Sequence, residues 1–295
     1  MAEARGLFRP RDERAWSTPS VVWLAVLFAL PALVVVAIAF RSADPYGGIG
    51  ADWTLGTLGR LADPTMPALL WRTFALSAAT TMICLVLATP TAYVMARCSS
   101  RLRQLMMLAV VVPFWTSFLV RIFAWKVVLH PEGALQRALV ALHLVPEGST
   151  LLYQPAAVLL VLVYTELPFA ILPIYAAAER FDFRLLEAAR DLGAGPVRSF
   201  LGVFLPGIRR GLLTATLMTF IPALGSYIVP DLVGGPGGEM LGNRIAQRTF
   251  VDRDLPQAAA LSMLLALAVL LPSVLALTRS RRRTPGTAGA GEAVR

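Results

Sequence analysis

Four ionisable side chains lie within or at the ends of long apolar stretches of this sequence. They are Arg121, Lys126, Glu166 and Asp231. A charged group at the centre of a bilayer costs roughly 2.5–3.5 kcal/mol, so such residues usually face a partner or a water-filled cavity. For Arg121 and Glu166 we favour an ion pair or hydrogen bonds between helices, with direct contact to a solute as the alternative. Lys126 can reach the membrane interface, and Asp231 is expected at a helix end near an outer gate.

Uncharged residues near these positions are further candidates for contact with a solute. Trp115 could stack on an organic cation, although anchoring at the membrane interface explains it equally well. Gly225 and Ser226 belong to an apolar run that also carries Pro222 and Pro230. Because proline removes a backbone donor, and free carbonyls inside a membrane need protein or water as partners, we expect this run to line a pathway.

The sequence contains no set of residues that is typical of catalysis or of a metal centre. Ser117 and Lys126 are nine positions apart, which puts them on different faces and at different heights of a helix. Cys84 and Cys98 lack the spacing of metal ligands. We therefore expect no catalytic residue, no metal and no cofactor, which argues against a membrane-embedded enzyme. An ion-gradient-driven secondary transporter remains an alternative, and it would need an acidic ion site inside the membrane.

The elements that hold these residues are membrane helices. Apolar residues make up 57% of the 295 residues and charged residues 15%, whereas a soluble domain has about 45–50% and about 25%. A helix that crosses the membrane needs about 20 apolar residues. The runs of this length are 21–40, 73–96, 105–129, 155–178, 211–231 and 255–278. We therefore expect an all-α integral membrane protein with six transmembrane helices.

The distribution of arginine indicates which side of the membrane each segment faces. Arginines are concentrated in 1–20, in the loop after the second run, in 179–210 and in the tail 279–295. Because cytoplasmic loops carry an excess of Lys and Arg, both termini should be cytoplasmic and 41–70 periplasmic. Membrane topology accounts for the formal net charge of +9, because the arginines lie at the edges of the apolar runs. We therefore expect no nucleic acid as partner. The tail is expected to be disordered after Arg283.

The first run and the outer segments carry signals of their own. Arginines, an apolar stretch and Ala37-Ile38-Ala39 resemble a cleavable signal peptide, but the length of the stretch favours a retained anchor. Within 41–70, Asp44-Pro45 and Gly47-Gly48 are turn signals. Residues 134–144 follow helical spacing and predict a short helix along the outer surface.

The segment 179–210 carries the most specific pattern in the chain. Asp182 can cap a helix that starts at the next residue, because its carboxylate can accept free N–H groups of the first turn. Gly193 can end that helix in the left-handed conformation. A second helix can begin at Pro196 and bend or stop at Pro206. The pattern predicts two short helices joined by a glycine turn.

Apolar residues of both predicted helices should form exposed faces on this segment. The residues are Leu185, Ala189 and Leu192 in the first helix, and Val197, Phe200, Leu201 and Phe204 in the second. These faces could fold back onto the chain's own membrane helices, or they could enter a groove on a soluble partner. The pattern alone does not distinguish the two.

A resemblance to a known family decides between them. The stretch 187–194, followed by 204–206, resembles the EAA loop of binding-protein-dependent ABC importer permeases. The matching residues are Glu187, Ala188, Ala189, Gly193, Leu205 and Pro206. In that family the loop docks in a cleft of the cytosolic ATPase and transmits its movement, so the resemblance implies this role for the same residues.

Two further stretches resemble the first permease subunit of spermidine/putrescine importers. They are 113–125 and 220–235, and the likeness covers roughly 70–278. The polyamine permeases usually carry a glutamate after Pro-Ala-Leu-Gly, where this chain has Ser226. Because a cationic solute prefers an acidic lining, this departure argues against a strict polyamine permease.

The resemblance implies a type I ABC importer transmembrane domain of the MetI-like fold over 71–278, with the first helix peripheral. It implies a cytosolic ABC ATPase dimer, a second permease subunit and a periplasmic solute-binding protein as partners in the lipid of the bacterial inner membrane. ATP binding would move the helical bundles as rigid bodies between inward-open and outward-open states. The cargo would be a polyamine or a related small organic solute.

Overall fold

A computed structural model describes residues 10–146 and 148–282, with side chains for 18–146 and 148–270. The predicted disorder after Arg283 and the first arginines of the chain lie outside the described residues. The elements up to residue 141 are α1 (Pro10–Ala39), β1 (Arg41–Ala43), β2 (Ile49–Trp53), α2 (Gly56–Gly59), a 3₁₀ turn (Arg60–Ala62), α3 (Met66–Arg97), α4 (Ser100–Val111), a 3₁₀ turn (Val112–Trp115), α5 (Phe118–Val128) and α6 (Ala134–Ala141). The later elements are α7 (Pro155–Glu179), α8 (Arg184–Asp191), α9 (Pro196–Ser199), a π turn (Phe200–Phe204), α10 (Leu205–Gly207), α11 (Arg209–Gly225), α12 (Ile228–Val233), a 3₁₀ turn (Pro236–Gly238), α13 (Leu241–Ala246), a π turn (Gln247–Val251) and α14 (Leu255–Arg282).

One compact unit consists of the described residues up to 63 and of 245–267. Its helix α1 is apolar from Thr18 to Ala39 and keeps most of its side chains exposed, as expected for a surface solvated by lipid, while Ala39 at its end is buried. Strands β1 and β2 form an antiparallel hairpin, whose turn contains Gly47 and Gly48 at positive φ. The predicted turn is confirmed, and the hairpin is a small addition to an otherwise helical fold.

The second unit consists of the described residues of 64–244 and 268–282, and α3, α7 and α11 pack pairwise at its centre. Small residues permit close approach where lipid supplies no hydrophobic driving force between helices. Gly211 of α11 illustrates this, because a Cβ there would overlap Ala177 and press on the carbonyl oxygen of Pro173 in α7. The predicted helical fold is therefore present, with three long helices as its centre.

Two predicted membrane helices are broken in the structure. The run 105–129 is divided into α4 with its 3₁₀ turn and α5, which meet at 95°. Pro113 has no N–H for the helical ladder, and Thr116 is extended. The run 211–231 is divided at Ser226, which is also extended. There the side-chain amide of Asn243 donates a hydrogen bond of 2.8 Å to the carbonyl of Tyr227, so a backbone group at this break has a partner.

The number of membrane crossings stays a prediction. Among the described residues, three helices are long and apolar enough to cross a membrane, within α1, α3 and α7. Up to five spans result if each strongly bent helix pair counts as one. The sixth predicted run lies in α14, whose side chains are described only to residue 270. The predicted short helix in 134–144 is present as α6.

Candidate functional site

The first arm of the 179–210 segment is helix α8, and its two ends are built as the sequence predicts. The Asp182 carboxylate accepts the backbone N–H of Arg184 at 3.0 Å, so α8 starts one residue later than expected. At the other end Gly193 has φ +85°. The Ala194 N–H donates to the Ala189 carbonyl at 3.0 Å and the Gly193 N–H to the Arg190 carbonyl at 2.9 Å. This pair of bonds is the Schellman motif, which turns the chain sharply.

The space around Gly193 is open. A Cβ built on this residue meets no atom within 4 Å. Within this chain, glycine is therefore favoured here by its positive φ and not by a lack of space. Glu187 and Ala188 of α8 are also exposed, and Ala189 is half-buried. The residues that match the EAA pattern around the turn therefore face outward and are free to contact another protein.

The second arm differs from the prediction of one continuous apolar face. Val197 and Leu201 are exposed, whereas Phe204 is fully buried and Phe200 is half-buried. Phe200 and Phe204 pack against Tyr93 of α3, whereas the two aliphatic side chains stay outside. Residues 200–204 form the π turn, in which the Leu205 N–H donates to the Phe200 carbonyl.

The Phe204 ring lies at the centre of an aromatic cluster that anchors the segment. Its centroid lies 5.0 Å from that of Tyr93 in α3 and 5.2 Å from those of Phe181 and Phe200. Edge-to-face and offset ring pairs add roughly 0.5–1.5 kcal/mol each beyond the burial of their area. The Tyr93 contact thereby fixes the 179–210 segment to the end of α3.

The base of the segment leads directly into α11. Leu205 is half-buried and Pro206 exposed in α10, and the chain bends by 74° between 196–207 and 209–225. The predicted bend is therefore present, and it falls at Ile208, which is buried. Gly207 packs against the Phe181 ring so closely that a Cβ would overlap it. The outward face of the segment and helix α11 are thus joined through a short, tightly packed elbow.

A cavity of about 400 Å³ lies beyond the other end of α11. Its wall combines residues beside both helix breaks with residues of α5, α7 and α11. The lining residues are Phe114, Phe118, Arg121, Thr165, Glu166, Phe169, Pro222, Gly225, Ser226, Tyr227 and Ile228. Four of the six predicted pathway residues, Arg121, Glu166, Gly225 and Ser226, therefore lie at one cavity.

The two predicted charges in this cavity do not pair with each other. In the part of the chain that the structure describes, Arg121 and Glu166 form neither a hydrogen bond nor an ion pair with one another. The interhelical ion pair favoured from the sequence is absent. The Arg121 guanidinium lies 4.7 Å above the Phe114 ring instead, and Glu166 is buried with only 8% of its surface exposed.

The other two pathway candidates lie outside the cavity. The Trp115 side chain is 78% exposed, and Asp231 is an exposed residue in the first turn of α12. Four aromatic lining residues, Phe114, Phe118, Phe169 and Tyr227, were not predicted as site residues. Three of them lie beside the helix breaks, for which Pro113 and the Pro222–Pro230 pair were the signals in the sequence, whereas Phe169 lies within α7.

Residues 88–283 match the family described as binding-protein-dependent transport system inner membrane component. The chain belongs to this family. A spermidine/putrescine transport system permease protein PotB from Salmonella typhimurium is 34% identical over 83% of this chain and 85% of its own length. The inner membrane ABC transporter permease protein YdcU from Escherichia coli is 32% identical over 82% of both chains.

A solved structure confirms the fold of this family member. A bacterial ABC transporter involved in the import of the acidic polysaccharide alginate superposes with a TM-score of 0.72, over 93% of this chain and 97% of its own, at 18% identity. Together with the family match and the relatives, it makes the chain a multi-pass inner-membrane permease subunit of an ABC importer with the MetI-like fold. The family match includes both the cavity and the 179–210 segment.

Proposed function

We propose that this permease subunit lines the path of a small amine-bearing organic solute, a polyamine or a related compound, and that 179–210 couples the path to a cytosolic ATPase dimer. ATP hydrolysis would take place in those separate subunits. A second permease subunit would complete the path, and a periplasmic solute-binding protein would deliver the solute. The family description and the names of the PotB relatives support this assignment.

The observation that carries the coupling proposal is the exposed face of the 179–210 segment. Leu192 beside the glycine turn is 90% exposed, and Leu185, Val197 and Leu201 are exposed as well. A cluster of bare aliphatic side chains outside the apolar runs is characteristic of a protein–protein contact. Two short helices with a tight turn match the helix-in-groove mode of recognition.

The packing of the segment supports transmission of movement from this face to the cavity. Phe204 fixes the segment to α3, Gly207 packs on the Phe181 ring within the segment, and Ile208 continues into α11. Packed elements move as rigid bodies more readily than they deform. Displacement of the exposed face would therefore displace α11, whose final residue Gly225 borders the cavity.

The cavity wall supports an amine-bearing solute. Ser226 stands where the polyamine permeases usually carry a glutamate, and Glu166 provides a carboxylate in the same cavity. The rings of Phe118, Phe169 and Tyr227 also line it, and aromatic faces attract ammonium groups. An acidic group among aromatic rings is a suitable environment for an organic amine.

The decisive test replaces Gly193 with tryptophan in the assembled importer. If the turn enters a groove on the ATPase, the bulky side chain should reduce retention of the ATPase by about tenfold or more. Pull-down of the ATPase subunits and ATP-driven solute uptake measure this effect, with membrane levels checked by immunoblot.

Gly148→Trp is the matched control for this test. Gly148 has φ +84°, against +85° for Gly193, and a Cβ on either residue meets nothing within 4 Å. Both substitutions therefore impose the same backbone strain in equally open surroundings. Normal ATPase retention and uptake by Gly193→Trp would contradict the coupling proposal.

A further inference from the structure

We propose that the cavity between α5, α7 and α11 accepts an amphoteric solute, one that carries a carboxylate as well as an ammonium group. This inference rests on the proposed transport function and narrows its solute from a polyamine or a related compound to a related compound that carries one carboxylate. It assigns the carboxylate of the solute to Arg121 and the ammonium group to Glu166.

Arg121 provides an unused binding site for an anion. Its Nε and Nη1 atoms are buried and have no hydrogen-bond partner in the described structure. The Phe114 and Phe118 rings lie 4.7 Å and 5.8 Å from the guanidinium carbon. Ring faces attract the positive charge but accept no in-plane N–H donor as a carboxylate does. The guanidinium edge is therefore held in place and still needs an acceptor.

Glu166 provides the opposite charge on a different helix. Its Oε2 atom is buried and lacks a hydrogen-bond partner among the described residues, while the side chain lines the same cavity as Arg121. The hydroxyl of its neighbour Thr165 is already used, since it donates to the Leu162 carbonyl at 3.0 Å. A buried carboxylate without a donor is costly, and an ammonium group in the cavity would supply one.

The presence of both charges selects among the classes of solute. A diamine would satisfy Glu166 but bring a second positive charge towards Arg121, and a dicarboxylate would satisfy Arg121 but bring a negative charge towards Glu166. Like charges placed together are a strong source of discrimination. A solute with one charge of each sign satisfies both side chains and leaves no repulsion.

The remaining wall suits a short carbon chain between the two charged ends. Phe169 and Ile228 are apolar lining residues, and the Cβ position of Gly225 is open. The volume of about 400 Å³ lies within the range of pockets that hold small organic ligands. Apolar walls with convergent polar groups are the usual composition of such pockets.

The experiment measures protection of a cysteine in the cavity rather than uptake. The selectivity of the periplasmic binding protein therefore does not influence the result. The importer is assembled with Ser226→Cys, and the rate of modification by a water-soluble thiol reagent is followed by mass spectrometry. The three probes have equal carbon number and differ in the charges of their two end groups: δ-aminovalerate, cadaverine and glutarate. We expect δ-aminovalerate to slow modification by about tenfold more than either of the other two.

Neutral variants then identify the side chain that binds each charged end of the solute. Arg121→Gln should remove the preference for δ-aminovalerate and favour cadaverine, whereas Glu166→Gln should favour glutarate. An Arg121 and a Glu166 that served only in folding would change the amount of assembled importer without changing the order of the probes, and that result would overturn the proposal. Cadaverine as the best probe for the parent importer would overturn it too.

The outcomes also separate this proposal from the transport function on which it rests. If the thiol introduced by Ser226→Cys reacts but no probe protects it, the cavity is open to water and a pathway remains, while the amphoteric site is wrong. The other outcome is that this thiol stays inert in every transport state although a cysteine placed at exposed Leu192 reacts. That result would show that the cavity is not part of a pathway, and both proposals would then be wrong.

Discussion

At the scale of single residues, a substitution of Leu192 tests contact with a partner without disturbing the fold. The side chain is 90% exposed, so a change there removes little packing within the chain. We expect Leu192→Asp to weaken binding of the ATPase subunits by about tenfold or more, because it places a charge in an apolar groove. Co-purification of the complex measures this. Leu144→Asp is the control, since Leu144 is 68% exposed in a different loop, and equal loss in both variants would contradict a specific contact.

For Phe204 we expect the opposite, a loss of stability that does not depend on a partner, because this residue is fully buried among aromatic rings. Replacement of a buried phenylalanine by alanine costs about 3–5 kcal/mol. Phe204→Ala should therefore lower the thermal unfolding temperature of the purified subunit, whether or not the ATPase is present. Val197→Ala, at an exposed position of the same segment, should leave that temperature nearly unchanged. A stable Phe204→Ala subunit would show that the aromatic cluster does not anchor the segment.

At the scale of elements, apolar length predicted where the helices lie but not where they break. The ends of α8 followed from local chemistry, since Asp182 and Gly193 act on their own backbone neighbours. The Tyr227 carbonyl, beside the break after Gly225, accepts a hydrogen bond from Asn243, a residue distant in sequence. Such a partner cannot be recognised from periodicity within the run. The inward positions of Phe200 and Phe204 are another case, because both rings pack against Tyr93 of α3.

The meeting of Arg121 and Glu166 at one cavity has the same explanation. Each charge was recognisable in its own apolar run, and their type suggested a pair. The break before α5 and the packing of α5 beside α7 decide where the guanidinium lies, and these arise from tertiary contacts. The sequence therefore identified four of the residues at the cavity without predicting how their charges are satisfied.

The contact between α11 and α7 gives a prediction for an entire element. Gly211 leaves no room for a side chain, because a Cβ would overlap Ala177. Gly211→Val should force the two helices apart and destabilise the subunit by about 1–3 kcal/mol or more, which thermal unfolding measures. Gly202→Val is the control, since the space around Gly202 is open. Comparable stability of the two variants would exclude close packing of α11 on α7.

At the scale of the whole molecule, the orientation in the membrane is a prediction that rests on the distribution of arginine. The segment 179–210 contains six arginines, at 180, 184, 190, 198, 209 and 210, whereas 41–70 contains two, at 41 and 60. The excess of positive charge marks cytoplasmic loops. Coupling to a cytosolic ATPase requires the same side for 179–210, so the charge rule and the proposed function agree on one topology.

Two exposed residues that this topology places on opposite sides of the membrane provide the test. Tyr46 in the hairpin turn is 98% exposed and Leu192 is 90% exposed, so a cysteine at either position is open to reagents in water. In spheroplasts, a membrane-impermeant maleimide should label Tyr46→Cys, and it should label Leu192→Cys only after the membrane is opened. The parent chain, with Cys84 buried and Cys98 half-buried, gives the background. Labelling of Leu192→Cys in sealed spheroplasts would place the segment outside, where no ATPase could reach it.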